Sequence, residues 1–281
     1  MKRTSERVVF LHIGPPKTGS TTLQRFVFPF LGIPFYGVRE TTNIVHNQVI
    51  PESPCILSSE NLGGAVEPQN QWANFEKLLH YVFELRRREL CPRVLFVSRP
   101  HVDWVISAYK HCVKTRKSYT SMTLEVFAED FLNEKFFYRQ RGKFLAGVPH
   151  LCIDFDLLNH PELLVRRIYS SMGAQLFPDS NQPSLANIRG FKMNPSPKTV
   201  TGLKFERMVR SLSKNQLTIL RQIGISPYRA GRIGDMISPK SRIEKNQISS
   251  QVRNELDLQY IKDLAYFKQC DDCLEVKDSS L

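Results

Sequence analysis

The residues with the clearest chemical potential form a short segment near the amino terminus. Gly14-Pro-Pro-Lys-Thr-Gly-Ser-Thr-Thr22 follows the apolar run Val8–Ile13 and precedes a stretch with helical spacing of apolar residues. The lysine ammonium, the hydroxyls and the unpaired amides at a helix start are hydrogen-bond donors, and Gly19 lets the backbone approach a ligand closely. The segment therefore predicts a site for a tetrahedral anion. An ordinary capped turn between a strand and a helix is the alternative.

A second group of polar residues follows another apolar run. Val94–Val97 is typical of a buried parallel strand, and Ser98-Arg99-Pro100 comes directly after it. Ser107 lies two turns into the helix that is predicted next. Because open parallel sheets bind ligands at the carboxyl ends of their strands, Arg99 is placed to bind an anionic group. Taken alone this pattern is weak, since any helix start could carry it.

Together the two segments resemble the sulfotransferases that use 3′-phosphoadenosine 5′-phosphosulfate (PAPS). The first is similar to the family's 5′-phosphosulfate loop, P-K-[TS]-G-[TS]-[TS], and Arg99 with Ser107 eight residues later resembles its 3′-phosphate motif. A Walker A loop differs, because its lysine directly follows the second glycine. Here Ser20 follows Gly19, and Lys17 lies inside the loop. Outside the two motifs the resemblance is limited to the alternation of strands and helices.

The resemblance implies that the loop holds the sulfated phosphate of PAPS, with Lys17 stabilising the leaving phosphate. Arg99 and Ser107 would bind the 3′-phosphate, which the product 3′-phosphoadenosine 5′-phosphate retains. Lys192 and Asn194 are similar to a late segment that closes over the nucleotide in bacterial relatives, although a turn-rich surface loop is the alternative. The implied donor-binding residues are Pro16, Lys17, Thr18, Gly19, Ser20, Thr21, Thr22, Arg99, Ser107, Lys192 and Asn194.

Glu60 is the predicted general base. It follows the strand-like run Cys55–Ser59 and precedes a glycine-containing turn, so it lies at the ligand edge of the sheet. Aryl and steroid members of the family use a histidine at the corresponding strand end, whereas glycan-modifying members use a glutamate. The resemblance therefore implies a hydroxyl of a carbohydrate or glycolipid as acceptor. The alternatives are that Glu60 caps the turn or pairs with an arginine, and that His12 or His111 is the base.

These residues need a scaffold of alternating strands and helices. Apolar runs alternate with helical patterns, which predicts an α/β fold with a P-loop-like parallel sheet, helices on both faces and a mostly helical C-terminal part. The predicted strands are Val8–Ile13, Cys55–Ser58, Val94–Val97 and Leu151–Ile153, with Ile33–Tyr36 as a candidate edge strand. Helical stretches are predicted over 202–222 and 245–268, after a long loop over 177–201. One domain over 1–281 is expected, with a core over 1–175 and the loop and helical part over 176–281.

Composition fits a globular protein with an excess of positive charge. The chain has 281 residues and a formal charge of +12, which attracts anions. Net charge alone does not distinguish PAPS from nucleic acid or a membrane surface as the anionic partner. No apolar stretch approaches the roughly 18 residues of a membrane span, and no signal segment is evident. Cys55 and Cys152 lie in apolar runs, and Cys270-Asp-Asp-Cys273 is a C-x-x-C motif without a second such motif. The cysteines therefore show no disulfide or metal-site spacing, and free thiols in a cytoplasmic protein are predicted.

Two other functions stay open at this point. A P-loop kinase of unusual pattern would need ATP and Mg²⁺, and the displaced lysine disfavours it. A non-enzymatic polyanion-binding protein would bind oligonucleotides with a steep salt dependence. The predicted anion-binding residues are grouped at strand ends and not along one exposed face of the protein. This grouping disfavours a polyanion-binding protein and a nucleic-acid partner. No D-x-D motif or histidine cluster predicts a metal site.

Overall fold

The fold is built on a parallel β-sheet, seen in a computed structural model that describes residues 7–14, 16–68, 72, 75–134, 137–172, 200–222, 225–237, 243–269 and 273–276. The strands are β1 (Val8–His12), β2 (Phe35–Tyr36), β3 (Cys55–Ser58), β4 (Cys91–Ser98), β5 (His150–Asp154) and β6 (Cys273–Val276). They pair in the order β2-β3-β1-β4-β5-β6, and each of these pairings is parallel. The predicted α/β class and parallel sheet are confirmed.

Helices connect the strands and continue beyond them. They are α1 (Ser20–Phe26), α2 (Val38–His46), α3 (Phe75–Arg87), α4 (His101–Thr115), α5 (Leu124–Glu134), α6 (Tyr138–Phe144), α7 (Pro161–Met172), α8 (Val200–Arg210), α9 (Lys214–Gln222), α10 (Pro227–Ile237) and α11 (Ser250–Gln269). The predicted helical stretch over 202–222 is interrupted between α8 and α9. The first part ends at Arg210, and Ser213 caps the start of the second, because its side chain and that of Gln216 each accept a hydrogen bond from the other's backbone amide.

Apolar side chains cover both faces of the sheet. In β1, Val8 and Phe10 belong to a buried cluster with residues of α1 and α7. Val9 and Leu11 belong to a second cluster with residues of α3, α6 and α11. Strands that are buried on both faces read as continuous apolar runs, which explains why β1 and β4 are evident in the sequence.

The contacts within the chain group it into two compact units. The first unit contains the sheet together with α1, α2, α3, α6 and α7. The second contains α4, α5, α8, α9 and α10, and the division falls inside α11, between Asp257 and Leu258.

In the first unit, Asp263 of α11 holds the amino-terminal end of α6. Its side chain is fully buried and accepts hydrogen bonds from the backbone amides of Tyr138 and Arg139, at 2.8 and 3.2 Å. Nη1 of Arg139 lies 2.8 Å from the same carboxylate. A buried carboxylate at a helix start satisfies amides that the helix itself leaves unpaired.

In the second unit, α8 and α10 cross closely at three glycines. A Cβ at Gly234 would lie 2.7 Å from the Cα of Gly202, and one at Gly202 would lie 2.6 Å from the carbonyl oxygen of Gly231. Glu206 of α8 is buried and pairs with Lys114 of α4 and with Arg210, with N–O distances of 2.7 and 2.6 Å. The absence of side chains at these glycines lets the two helices meet through their backbones.

Gly234→Ala is expected to lower the free energy of unfolding by about 1–3 kcal/mol, because the added methyl group overlaps the backbone of α8. The same change at an ordinary helical glycine would raise stability by about 1 kcal/mol. Chemical denaturation measures the difference. Arg232→Ala, at an exposed position of the same helix, is the control and should leave the unfolding midpoint unchanged. A stabilised Gly234→Ala protein would contradict the close crossing.

Candidate functional site

The loop after β1 contains two residues with left-handed backbone conformation. Lys17 has a φ of 73° and Gly19 a φ of 88°. A Cβ at Gly19 would also overlap the Cδ1 atom of Leu158, which lies in the turn after β5. A lysine in this conformation is uncommon, and such residues occur often where a ligand is bound. The loop geometry therefore requires glycine at position 19 and holds Lys17 in a fixed backbone conformation.

The hydroxyls of the loop differ in exposure. Thr18, Ser20 and Thr22 are buried, with exposed fractions of 0, 2 and 3%, whereas Thr21 is exposed. The Ser20 hydroxyl has no hydrogen-bond partner in the part of the chain that the structure describes. A buried polar group without a partner is costly, and a bound ligand would remove that cost.

His12 and Ser58 form a polar cluster beneath the loop. Both are fully buried, at facing positions of β1 and β3, and His12 Nδ1 lies 2.7 Å from Ser58 Oγ. Gln24 of α1 donates to the same hydroxyl at 3.0 Å. Burial lowers the pKa of His12 to about 3, so the imidazole is neutral at physiological pH. This cluster ties β1 and β3 to the first helix.

The carboxyl ends of β1 and β4 meet through Arg99. Its Nη1 donates a hydrogen bond of 2.5 Å to the carbonyl oxygen of Lys17, and its guanidinium lies 4.4 Å from the centre of the Phe155 ring. The hydroxyl of the preceding residue, Ser98, donates to the carbonyl oxygen of Ile153 in β5 at 3.4 Å. The two segments singled out in the sequence are thus in direct contact at one edge of the sheet.

The strand order explains this meeting. After β1 the chain crosses to β2 on one side of the sheet, and after β4 it crosses to β5 on the other side. The loops that follow two such neighbouring strands leave in opposite directions and open a crevice between them. Open α/β sheets bind ligands in this crevice, and Lys17 and Arg99 follow the two strands that border it.

Glu60 lies at the neighbouring strand end. It begins the 3₁₀ turn Glu60–Gly63 directly after β3 and is half-buried. A Cβ at Gly63 would overlap the carbonyl oxygen of Ile13, so the turn lies directly against the start of the anion loop. Among the described residues the Glu60 carboxylate has no hydrogen bond or ion pair.

The remaining predicted residues belong to the second unit or lie outside the described residues. Ser107 and His111 are half-buried residues of α4, which belongs to the second unit. Lys192 and Asn194 lie outside the described residues, as does most of the predicted loop over 177–201. The site that the first unit forms therefore consists of the loop after β1, Arg99 and the turn that begins with Glu60.

Four residues that contact this site were missed in the sequence. Phe155 and Leu158 follow β5, and the rule that ligands bind at carboxyl strand ends could have indicated them. Ser58 immediately precedes the predicted Ser59-Glu60 strand end. No sequence signal distinguishes Gln24 from any other polar residue of a helix.

Two features are absent from the described part of the chain. None of its helices is both long and apolar enough to cross a membrane. The same residues include no group of three or more His, Cys, Asp or Glu side chains arranged to hold a metal ion.

When the chain is compared with models of known families, with curated proteins and with solved structures, none of them matches.

Proposed function

We propose that this chain is a PAPS-dependent sulfotransferase that transfers a sulfuryl group to a hydroxyl of a carbohydrate or glycolipid. One observation carries the proposal: the hydrogen bond from Arg99 to the backbone of Lys17. It joins the two segments that resemble the donor motifs of the family. PAPS is anionic at both its 5′ and its 3′ position, so a single nucleotide can contact both segments only if they are neighbours.

The proposal includes a P-loop-like role for the loop after β1. The left-handed Lys17 and Gly19 and the buried, unpaired hydroxyl of Ser20 support this role. Since α1 has only seven residues, its dipole contributes little, and Lys17 supplies most of the positive charge. The proposal also includes contacts of Ser107, Lys192 and Asn194 with the donor. These contacts are supported only by the resemblance of their sequence segments to the family.

The proposed reaction is an in-line displacement at sulfur. The acceptor oxygen forms a bond to sulfur while the bond from sulfur to the 5′-phosphate oxygen breaks, as in phosphoryl transfer. The hydroxyl proton passes to Glu60, and Lys17 stabilises the charge that grows on the leaving phosphate. Glu60 is preferred to His12 as base because His12 is fully buried and its pKa of about 3 makes it a weak base.

The location proposed with this function is the cytoplasm. Cys55, Cys91, Cys112 and Cys152 form no disulfide in the described part of the chain, and three of them are buried. Cysteines outside disulfides are typical of proteins in a reducing compartment.

The experiment that tests the proposal is a transfer assay with PAPS labelled in its sulfuryl group. Purified protein is incubated with a panel of glycans and glycolipids, and labelled acceptor is the expected product. A parallel arm offers ATP and Mg²⁺ with the same acceptors, with and without a chelator. Chelator-sensitive transfer from ATP with none from PAPS would contradict the proposal, and so would salt-sensitive oligonucleotide binding without turnover.

Arg99→Ala is expected to weaken binding of 3′-phosphoadenosine 5′-phosphate by about 10- to 100-fold and binding of AMP much less. The 3′-phosphate is the group that the two ligands do not share. Isothermal titration calorimetry with both ligands measures the two changes. Because Arg99 also holds the backbone of Lys17, equal losses for both ligands would mean that it only supports the loop, and would refute its assignment to the 3′-phosphate.

A further inference from the structure

We infer that His12 is an anion-binding residue, whose Nε2–H donates a hydrogen bond to an oxygen of the group held by the loop after β1. The inference rests on the proposed function, in which that group is the 5′-phosphosulfate of PAPS. It assigns to His12 a role other than that of the general base.

The Nε2 atom of His12 is buried and has no hydrogen-bond partner among the described residues. The side chain is 0% exposed, so bulk water does not replace the missing partner. Most buried polar atoms in folded proteins are paired, because an unpaired one loses its hydration without compensation. A ligand that supplies the missing partner would account for an unpaired atom beside a binding loop.

The hydrogen bonds of Ser58 fix which ring nitrogen carries the proton. Ser58 Oγ accepts a hydrogen bond from Gln24 Nε2, so its own hydrogen needs an acceptor. His12 Nδ1, at 2.7 Å, is the acceptor that the described residues provide. Nδ1 is therefore unprotonated, and Nε2 carries the hydrogen. The unpaired atom is a donor, as an anion requires.

The geometry around Gly14 places this donor beside the loop. A Cβ at Gly14 would lie 3.3 Å from His12 Nε2 and 3.0 Å from Thr18 Oγ1. His12 Nε2 and the Thr18 hydroxyl therefore both lie close to the backbone at the start of the loop. A methyl group at Gly14 would press against both atoms.

Ser20 provides an independent observation at the same loop. Its hydroxyl is also buried and also lacks a partner in the described part of the chain. Two orphaned donors, one on the strand before the loop and one on the helix after it, suit a ligand with several acceptor oxygens. A tetrahedral sulfate or phosphate group has this chemistry.

Two substitutions separate anion binding from structural support. His12→Gln places an amide nitrogen near the position of Nε2, whereas His12→Asn places its amide near that of Nδ1, beside Ser58. If His12 binds the anion, His12→Asn should weaken binding of 3′-phosphoadenosine 5′-phosphate by about 10- to 100-fold, and His12→Gln should restore much of it. A purely structural His12–Ser58 contact predicts the opposite order. Calorimetry measures the affinities, and thermal unfolding shows whether each variant is folded.

Gly14→Ala tests the same part of the site without altering His12. Its methyl group would press against His12 Nε2 and Thr18 Oγ1, so weakened nucleotide binding is expected, with thermal unfolding used to confirm that the variant is folded. Adenosine 3′-phosphate, which lacks the 5′ group, is the control ligand and should bind the variants and the unmodified protein equally.

The outcomes separate this inference from the proposed function. If the unmodified protein does not bind 3′-phosphoadenosine 5′-phosphate, both fail. If it binds the nucleotide, but folded His12→Asn and Gly14→Ala bind it equally well, the role of His12 is refuted and the proposed function stands. Equal losses for adenosine 3′-phosphate would also refute the role, since the effect would not depend on the 5′ anion.

Discussion

Lys17→Ala is expected to lower the rate of sulfuryl transfer by about 100- to 1,000-fold, the loss that follows removal of one strong donor to a developing negative charge. Lys17 is the charged side chain of the loop after β1, and its carbonyl oxygen is held by Arg99. The turnover number should fall more than the affinity for PAPS, because charge on the leaving phosphate grows only in the transition state. Steady-state kinetics with labelled PAPS and an accepted glycan measures both quantities.

Two variants control for this result. Lys17→Arg keeps the positive charge and should retain much more activity than Lys17→Ala. Lys77→Ala removes an exposed lysine of α3 and should leave the rate unchanged, which tests whether the overall charge of the protein matters. Near-native turnover of a folded Lys17→Ala protein would refute the role of Lys17.

Glu60→Gln is expected to lower turnover by about 100- to 10,000-fold, the usual range for loss of a general base. The amide has nearly the shape of the carboxylate but cannot accept the acceptor's proton. Binding of 3′-phosphoadenosine 5′-phosphate should be unchanged, because Glu60 follows β3 and not one of the two donor segments. Turnover and calorimetric affinity, measured on the same preparation, separate the two effects.

Glu76→Gln, at an exposed position of α3, is the control for this substitution and should keep the wild-type rate. An unchanged rate for Glu60→Gln would move the base to another residue, and His111→Ala would then be the next test.

The strands that form the site were predictable because they are short, apolar and buried on both faces. Val8–His12 and Cys55–Ser58 appear in the structure almost as the sequence indicates. The strand before Arg99 begins at Cys91, three residues earlier than predicted. Its first residues were missed because Pro92 and Arg93 interrupt the apolar pattern. The edge strand β6, Cys273–Val276, was missed, since four residues at a sheet edge carry little periodicity.

Helix α10 shows a different limit of sequence reasoning. Gly231 and Gly234 lower the helix propensity of Pro227–Ile237, so its local sequence does not predict a helix. In the structure these glycines allow α10 to pack closely against Gly202 of α8. Tertiary packing therefore outweighs local propensity in this segment.

The candidate site was predictable in its parts but not in its arrangement. That Lys17 and Arg99 follow strands was evident, and parallel strands place such residues at one edge of the sheet. Their contact requires that β1 and β4 be neighbours, which depends on the direction of each crossover. Likewise, the hydrogen bond between His12 and Ser58 depends on the register of β1 and β3, and no local sequence pattern specifies that register.

A calorimetric titration of the unmodified protein with three nucleotides tests whether Lys17 and Arg99 bind one ligand. The two residues are in contact, and the proposed function requires that one adenosine nucleotide use both segments through its two phosphate groups. We expect 3′-phosphoadenosine 5′-phosphate to bind at one site, at least about 10-fold more tightly than AMP or adenosine 3′-phosphate. Equal affinities for the three nucleotides, or no binding of the doubly phosphorylated one, would contradict the proposed function.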